Sequence, residues 1–419
     1  MRSQLPVIGL CLLITFNVAI PKGGIKVSDL PLTWGYLLLL AMTPFAGIGL
    51  LGRRNISHAP LIQAFACFLP AAVLIMAKAF LYHLPTQVWA VYMTVFGVLT
   101  SAILITLAPY LEDVPAETLG TFLRYAMRFT VLWGLMNFVL HIVTGLFIEI
   151  PYVTVNAADV GEIFSKMNNR SGMMKLVSTF NNGNIYGVCM VIMTPMYLLF
   201  EKNRIFTGLL FVALVCTLSR TVWFGMVGMG LLMILGGQIR LANPLVWLGL
   251  AAGILGVIAL MPMMGWTPDK LVDTNLGGRS AYFDTFDFTL LGADHMRVPE
   301  MVYFGFAQSF GMLGMLFPLA AMAFAPAYAL LNWATLSPLR RAAAIGAASY
   351  LIAALIDGAF ILPPTFVLFL FASAMVYRRG LHPDARLPMG PAISLDRLHP
   401  TLLQPVMAGR LASSRLPVQ

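Results

Sequence analysis

Apolar positions along this chain come in long unbroken runs, and the polar residues collect in the gaps between them. A run of roughly eighteen or more apolar residues can cross a hydrocarbon core of about 30 Å as a helix. The pattern predicts twelve such spans, at about 4–21, 30–51, 60–82, 86–110, 126–148, 185–200, 205–219, 221–237, 244–262, 301–331, 342–358 and 361–377. A membrane β-barrel would show shorter segments of alternating hydrophobicity instead. The expected fold is all-α, a polytopic integral membrane protein. Composition agrees: 59% of the 419 residues are hydrophobic and 10% charged, where soluble domains carry about 25% charged residues.

Charge sets the expected direction. With the N-terminus inside, the cytoplasmic segments hold 16 basic residues against 6 acidic ones, and the opposite side holds 9 against 11. Lys78, near the outer end of its span, completes the 26. Positive charge is retained on the cytoplasmic side, so both termini are expected there. The net charge of +9 reads as an orientation signal, and no nucleic-acid partner is expected. The first span lacks a small-residue cleavage motif and leads through "PKGGIKVSDLP" into the second, so it reads as a retained span. Cys11, Cys67, Cys189 and Cys216 all fall in spans, without metal or disulfide spacing, and are expected to be free buried thiols.

One transmembrane domain, 1–377, is thus expected, with long outer loops at about 149–184 and 263–300. Long loops with structure of their own are usually functional. The tail 378–419, with "HPDARLPMGPAISLDRLHP", is proline-rich and basic, and reads as a disordered cytoplasmic end lying on anionic lipid. No fixed-period repeat or matched pair of broken helices is visible, which argues against an inverted-repeat transporter.

The candidate chemistry gathers on the outer side. Arg220, in "TLSRTVWFG", has no acidic residue within fifteen positions. The plainer reading is an interfacial arginine that snorkels to the headgroups. Against it stand the charge bias and a tight turn, and an arginine held near hydrocarbon costs on the order of 2.5–3.5 kcal/mol on insertion scales. A phosphate, gripped by paired hydrogen bonds, is a natural partner for that guanidinium. Arg279, after two glycines in "NLGGRS", repeats the theme; together the two arginines suit a pyrophosphate. Lys175 and Arg170, in the first long loop, offer further positive charge or are solvated loop residues. Glu300, after Pro299, is either a favourable helix start or a general base for an attacking hydroxyl. His295 and Asp294 compete for that base role. Asn181 and Asn184, in "FNNGNIYG", read as an N-cap cluster or as amides for sugar hydroxyls and phosphate oxygens. Tyr282 and Tyr303 are candidate sugar contacts. No metal-ligand spacing accompanies these residues.

The order of these segments carries a resemblance. It runs through "GGIKVSDLPLTWGYLLLL" (23–40), "KLVSTFNNGNIYGVCMVIMTPMYLL" (175–199), "LSRTVWFGMVGMGLLMIL" (218–235), "GGRS" (277–280) and "EMVYFGFAQSFGMLGMLFPL" (300–319). The set resembles the O-antigen polymerase and O-antigen ligase superfamily of bacterial inner-membrane glycosyltransferases, over roughly residues 15–330. The resemblance implies a GT-C-like fold and glycosyl transfer on the periplasmic face, with an undecaprenyl-pyrophosphate-linked oligosaccharide as donor. It implies that Arg220 and Arg279 hold the diphosphate, and that neither metal nor other cofactor is required. Ligases of the family carry a His-Asn pair where this chain has Pro299-Glu300, its nearest histidine being His295. That departure points to a polymerase, whose acceptor is a second lipid-linked repeat unit and whose partners include membrane lipid and a chain-length regulator. The alternatives are ligase-type transfer to another acceptor and, from a different class, a polysaccharide flippase or secondary transporter.

Overall fold

The computed structural model describes residues 5–27, 30–51, 58–86, 114–164, 168–170, 173–239, 289–294, 301–358 and 364–378, with isolated positions between 87 and 113 and between 251 and 262. The expected spans 86–110 and 244–262, and all of the tail beyond Arg378, therefore fall largely or wholly outside the described residues. What is described is mostly helical.

The chain begins with α1 (Leu5–Ile14), which widens into a π-helical turn, and a hairpin of β1 (Gly24–Val27) and β2 (Leu30–Thr33). α2 (Trp34–Leu51), α3 (His58–Leu81) and α4 (Ala116–Thr144) follow. The first long loop contains the short hairpin β3 (Asn169–Arg170) and β4 (Met173–Met174). Then come α5 (Gly183–Phe200), α6 (Arg204–Cys216), α7 (Arg220–Leu235), α8 (Val302–Gly314), α9 (Leu316–Leu331), α10 (Pro338–Ala353) and α11 (Thr365–Tyr377). Among the described residues α3, α4 and α5 are long and apolar enough to cross a membrane, and a fourth span is added if α8 and α9 count as one.

The centre is set by composition. α11, "TFVLFLFASAMVY", is apolar all round, and every one of its residues is buried; a helix without a polar face belongs inside. α10 brings small residues, with Ala342, Ala343, Ala344, Gly346 and Ala347 buried. They let its backbone approach α5 closely, as small residues do between membrane helices: a Cβ added at Gly346 would lie 2.1 Å from the Ile192 carbonyl oxygen. Gly187 meets Val222 and Gly225 meets Val191, so α5 and α7 run side by side in the same direction. Gly228 meets Ile352 and Gly236 meets Ile345, so α10 runs opposite to α7.

This arrangement gives the bundle two chemically different ends. At one end α5 finishes and α10 starts. There Arg128 grips Glu201 through two bonds of 2.6 and 2.7 Å, Arg340 donates to the Val376 carbonyl at 2.7 Å, and buried Arg378 donates to the carbonyls of Leu111 and Val114. Basic residues assigned to the cytoplasm by charge thus share one end of the fold. At the other end α5, α7 and α11 all begin and α10 finishes.

That second end is covered by folded loop. Gly145, in the left-handed region at φ 74°, closes α4. The chain then bridges back to the β1–β2 hairpin: Gly24 pairs with Asn156, Trp34 donates to the Tyr152 carbonyl at 2.6 Å, and Lys26 pairs with Asp159 at 3.1 Å. The first long loop has structure of its own, as its length suggested.

One expected element differs. The apolar run 301–331 reads as a single span, but the structure breaks it into α8 and α9, bent by 107°. Hydropathy sees length and polarity, not direction. The break is marked by Gly311, whose φ of 73° and ψ of 176° leave the helical region; glycine reaches that conformation without steric cost.

Candidate functional site

Two helices begin next to each other, and both are built the same way. Asn181 sits in the left-handed region at φ 56°, and the Asn182 side chain then accepts from the N–H groups of Asn184 (2.9 Å) and Ile185 (3.2 Å) to start α5. Leu218 is left-handed at φ 52°, and the Ser219 hydroxyl accepts from Val222 at 3.5 Å to start α7. Polar residues at that position satisfy N–H groups the helix leaves free. A left-handed leucine is a strained conformation held by its surroundings, and Leu218 is fully buried. Arg220 is the first residue of α7. The two starts lie close: a Cβ on Gly187 would stand 2.2 Å from Val222. Their positive dipole ends therefore reinforce one another.

Lys175 enters the same end from the first long loop. Its side chain is largely buried, and its ammonium donates to the Asn184 side-chain oxygen at 3.4 Å. Asn184 turns its amide nitrogen to the Asp357 carboxylate at 2.8 Å. Asp357 follows α10, its N–H donating to the Ala353 carbonyl at 3.1 Å. The Leu176 N–H donates to the Cys216 carbonyl at 2.9 Å, which ties the Lys175 segment to the end of α6, just ahead of Arg220.

Asn168 locks the loop in place. Its amide nitrogen donates to the carbonyls of Ile163 (3.2 Å) and Asn181 (2.9 Å), and its oxygen accepts from Gly183 at 3.4 Å. Sequence reading did not single it out, because its partners are backbone groups that leave no mark in the sequence. The pairing of Asp357 with Asn184 joins positions 173 residues apart, so it too leaves no local mark in the sequence.

The expected site residues divide accordingly. Lys175, Asn181, Asn184 and Arg220 are brought to one end, with Asn181 buried and engaged through its carbonyl. Arg170 lies in β3, paired with Met173. Tyr303 is on α8, where its hydroxyl donates to the Leu351 carbonyl at 2.6 Å, so that group already serves α10. Asp294 is exposed at the end of the 289–294 segment. Arg279, Tyr282, His295 and Glu300 lie outside the described residues.

The described arrangement combines a buried ammonium, a guanidinium at a helix start, side-chain amides and one carboxylate. Cations and paired helix starts suit an anion, and charge-assisted hydrogen bonds make such a grip strong. Comparison with protein-family models, with curated proteins and with solved structures finds no match to this chain.

Proposed function

We propose that this chain is a GT-C-like inner-membrane glycosyltransferase of about twelve spans that polymerises undecaprenyl-pyrophosphate-linked repeat units on the periplasmic face. The observation that carries the reading is a buried lysine, Lys175, beside the paired starts of α5 and α7, the second of which opens with Arg220. A diphosphate leaving group needs its growing charge compensated in the transition state, and preorganised donors of this kind supply that. In this reading Lys175 and Arg220 receive the diphosphate, and Arg279 and Arg170 close over it from the loops. Asn184 and Tyr282 meet the sugars. Asp294, His295 or Glu300 takes the proton of the acceptor hydroxyl. No metal has a part in the scheme, and both termini face the cytoplasm.

The bend between α8 and α9 favours a second reading, since broken helices are a hallmark of transporters. One experiment separates the two. Purified protein in bilayer discs is given lipid-linked repeat units and no ion gradient. A polymerase produces a glycan ladder there, whereas a flippase produces none. Lys175→Met and Arg220→Ala are expected to shorten the ladder to single units by lowering the rate about 10²–10³-fold. Normal ladders from both variants would exclude the diphosphate role of this end.

A further inference from the structure

The break between α8 and α9 frees backbone groups, and neighbouring segments take up several of them. In an unbroken helix the Met312 N–H would bond the Gln308 carbonyl, and the Leu313 N–H the Ser309 carbonyl. Here Met312 donates to Thr289 at 3.1 Å and Leu313 to Leu290 at 3.4 Å. The released Gln308 carbonyl accepts from the Ala293 N–H at 2.8 Å. Segment 289–294 therefore lies in the gap and exchanges partners with it. The fit is close enough that a Cβ on Gly311 would stand 2.3 Å from the Gly292 nitrogen.

One released group goes elsewhere. The Ser309 carbonyl accepts from Lys78, in the last turn of α3. The same ammonium donates to the carbonyls of Ala293 at 2.5 Å and Leu291 at 3.4 Å. An ammonium has three donors, and three carbonyls take them all. The Tyr82 ring lies 5.6 Å from the same ammonium, within cation–π range. Lys78 is largely buried. In broken membrane helices such freed carbonyls hold inorganic cations.

We propose that Lys78 is the built-in cation of this broken helix, a positioning residue whose charge holds segment 289–294 in the gap and so fixes where Asp294 emerges. The sequence separates the parts: Lys78 and Ser309 are 231 residues apart, joined only where α3 packs beside the break. A neutral side chain of similar length would fill the space and leave three carbonyls without donors. The positive charge, rather than the volume, is what the cage selects. This assignment is independent of the proposed glycosyl transfer.

The test is hydrogen–deuterium exchange on the full chain in bilayer discs, comparing wild type with Lys78→Met. Exchange across 289–294 and 308–313 is expected to be roughly ten- to a hundredfold faster in the variant, the range set by losing hydrogen bonds to a charged group. Protection across α5 should be unchanged, which separates local release from global unfolding. Equal protection of 289–294 in both proteins would overturn the proposal. If Lys78→Met fails to fold, Lys78→Ala prepared with and without a short alkylammonium decides the matter. Recovery of folded protein with the amine supports a required cation, and no difference between the preparations rejects it.

Discussion

Asn184 donates to Asp357 over 2.8 Å and accepts from Lys175 at 3.4 Å, so a single amide joins an ammonium to a carboxylate. The amide links the first turn of α5 to the chain leaving α10, and through Lys175 to the first long loop. Truncating one member of a buried hydrogen-bonded set leaves the others uncompensated, at a cost of about 3 kcal/mol. Asp357→Ala should therefore lower the unfolding temperature in detergent clearly more than Asp357→Asn, which keeps an acceptor for Asn184. Equal losses would show that the hydrogen bond contributes nothing.

Close approach of α10 to α5 makes a sharper prediction. Gly346→Ala places a methyl group against backbone at Ile192, which cannot rotate away. Overpacking of this kind costs about 1–3 kcal/mol. Gly208→Ala is the control, because a Cβ there has nothing within 4 Å and removes a helical glycine worth roughly 0.5–1 kcal/mol. Thermal unfolding of the two variants should move in opposite directions.

A late, strongly acidic loss of stability is expected at the other end. Burial works to raise the Glu201 carboxyl, but hydrogen bonds from Arg128, the Asn203 N–H and Tyr197 outweigh it and hold the group at about 2. The folded value lies below the ordinary one of about 4.3. Its contribution is therefore complete above that ordinary value and is lost as pH falls through the folded one. Between about pH 4 and 2 the wild type should lose stability faster than Glu201→Gln. Parallel melting curves over that window would place the acid sensitivity elsewhere.

Direction in the membrane can be read with two cysteines. Val160 is exposed in the first long loop, and Thr335 is exposed just before α10, at the opposite end of the bundle. An impermeant thiol reagent added from the periplasm should label Val160→Cys and spare Thr335→Cys. The reverse labelling would invert the orientation.

What the sequence made visible was local. The asparagine cluster at 181–184 caps a helix because side-chain oxygens reach N–H groups two or three residues on, and that offset can be read directly. The turn at Arg220 was legible from a lone arginine between two apolar runs, and the ordered first loop from its length. Contacts between a side chain and a distant carbonyl were not. Lys78 looked like a charge near the end of its span, and nothing in 289–294 or Ser309 announces an acceptor. The bend at Gly311 was hidden inside a run that stays apolar on both sides of it. Asp357 gained its meaning only when α10 was seen to run opposite to α7 and deliver it beside α5.

Helix length has a consequence for the bilayer itself. α6 and α11 are 13 residues each, about 20 Å at 1.5 Å per residue, while a hydrocarbon core is about 30 Å thick. In the proposed orientation the charged end, with Arg128, Glu201 and Arg378, lies at a headgroup surface. In that orientation the end of α6 and the start of α11 would lie some 10 Å short of the opposite surface. Lipid around α6, which exposes Ile205 and Val212, would then have to thin or give way, at a cost that grows with each added ångström of mismatch. Acyl-chain length would thereby become an environmental setting for this protein: short-chain lipid would bring the polar end up to the headgroups, and long-chain lipid would sink it into a well.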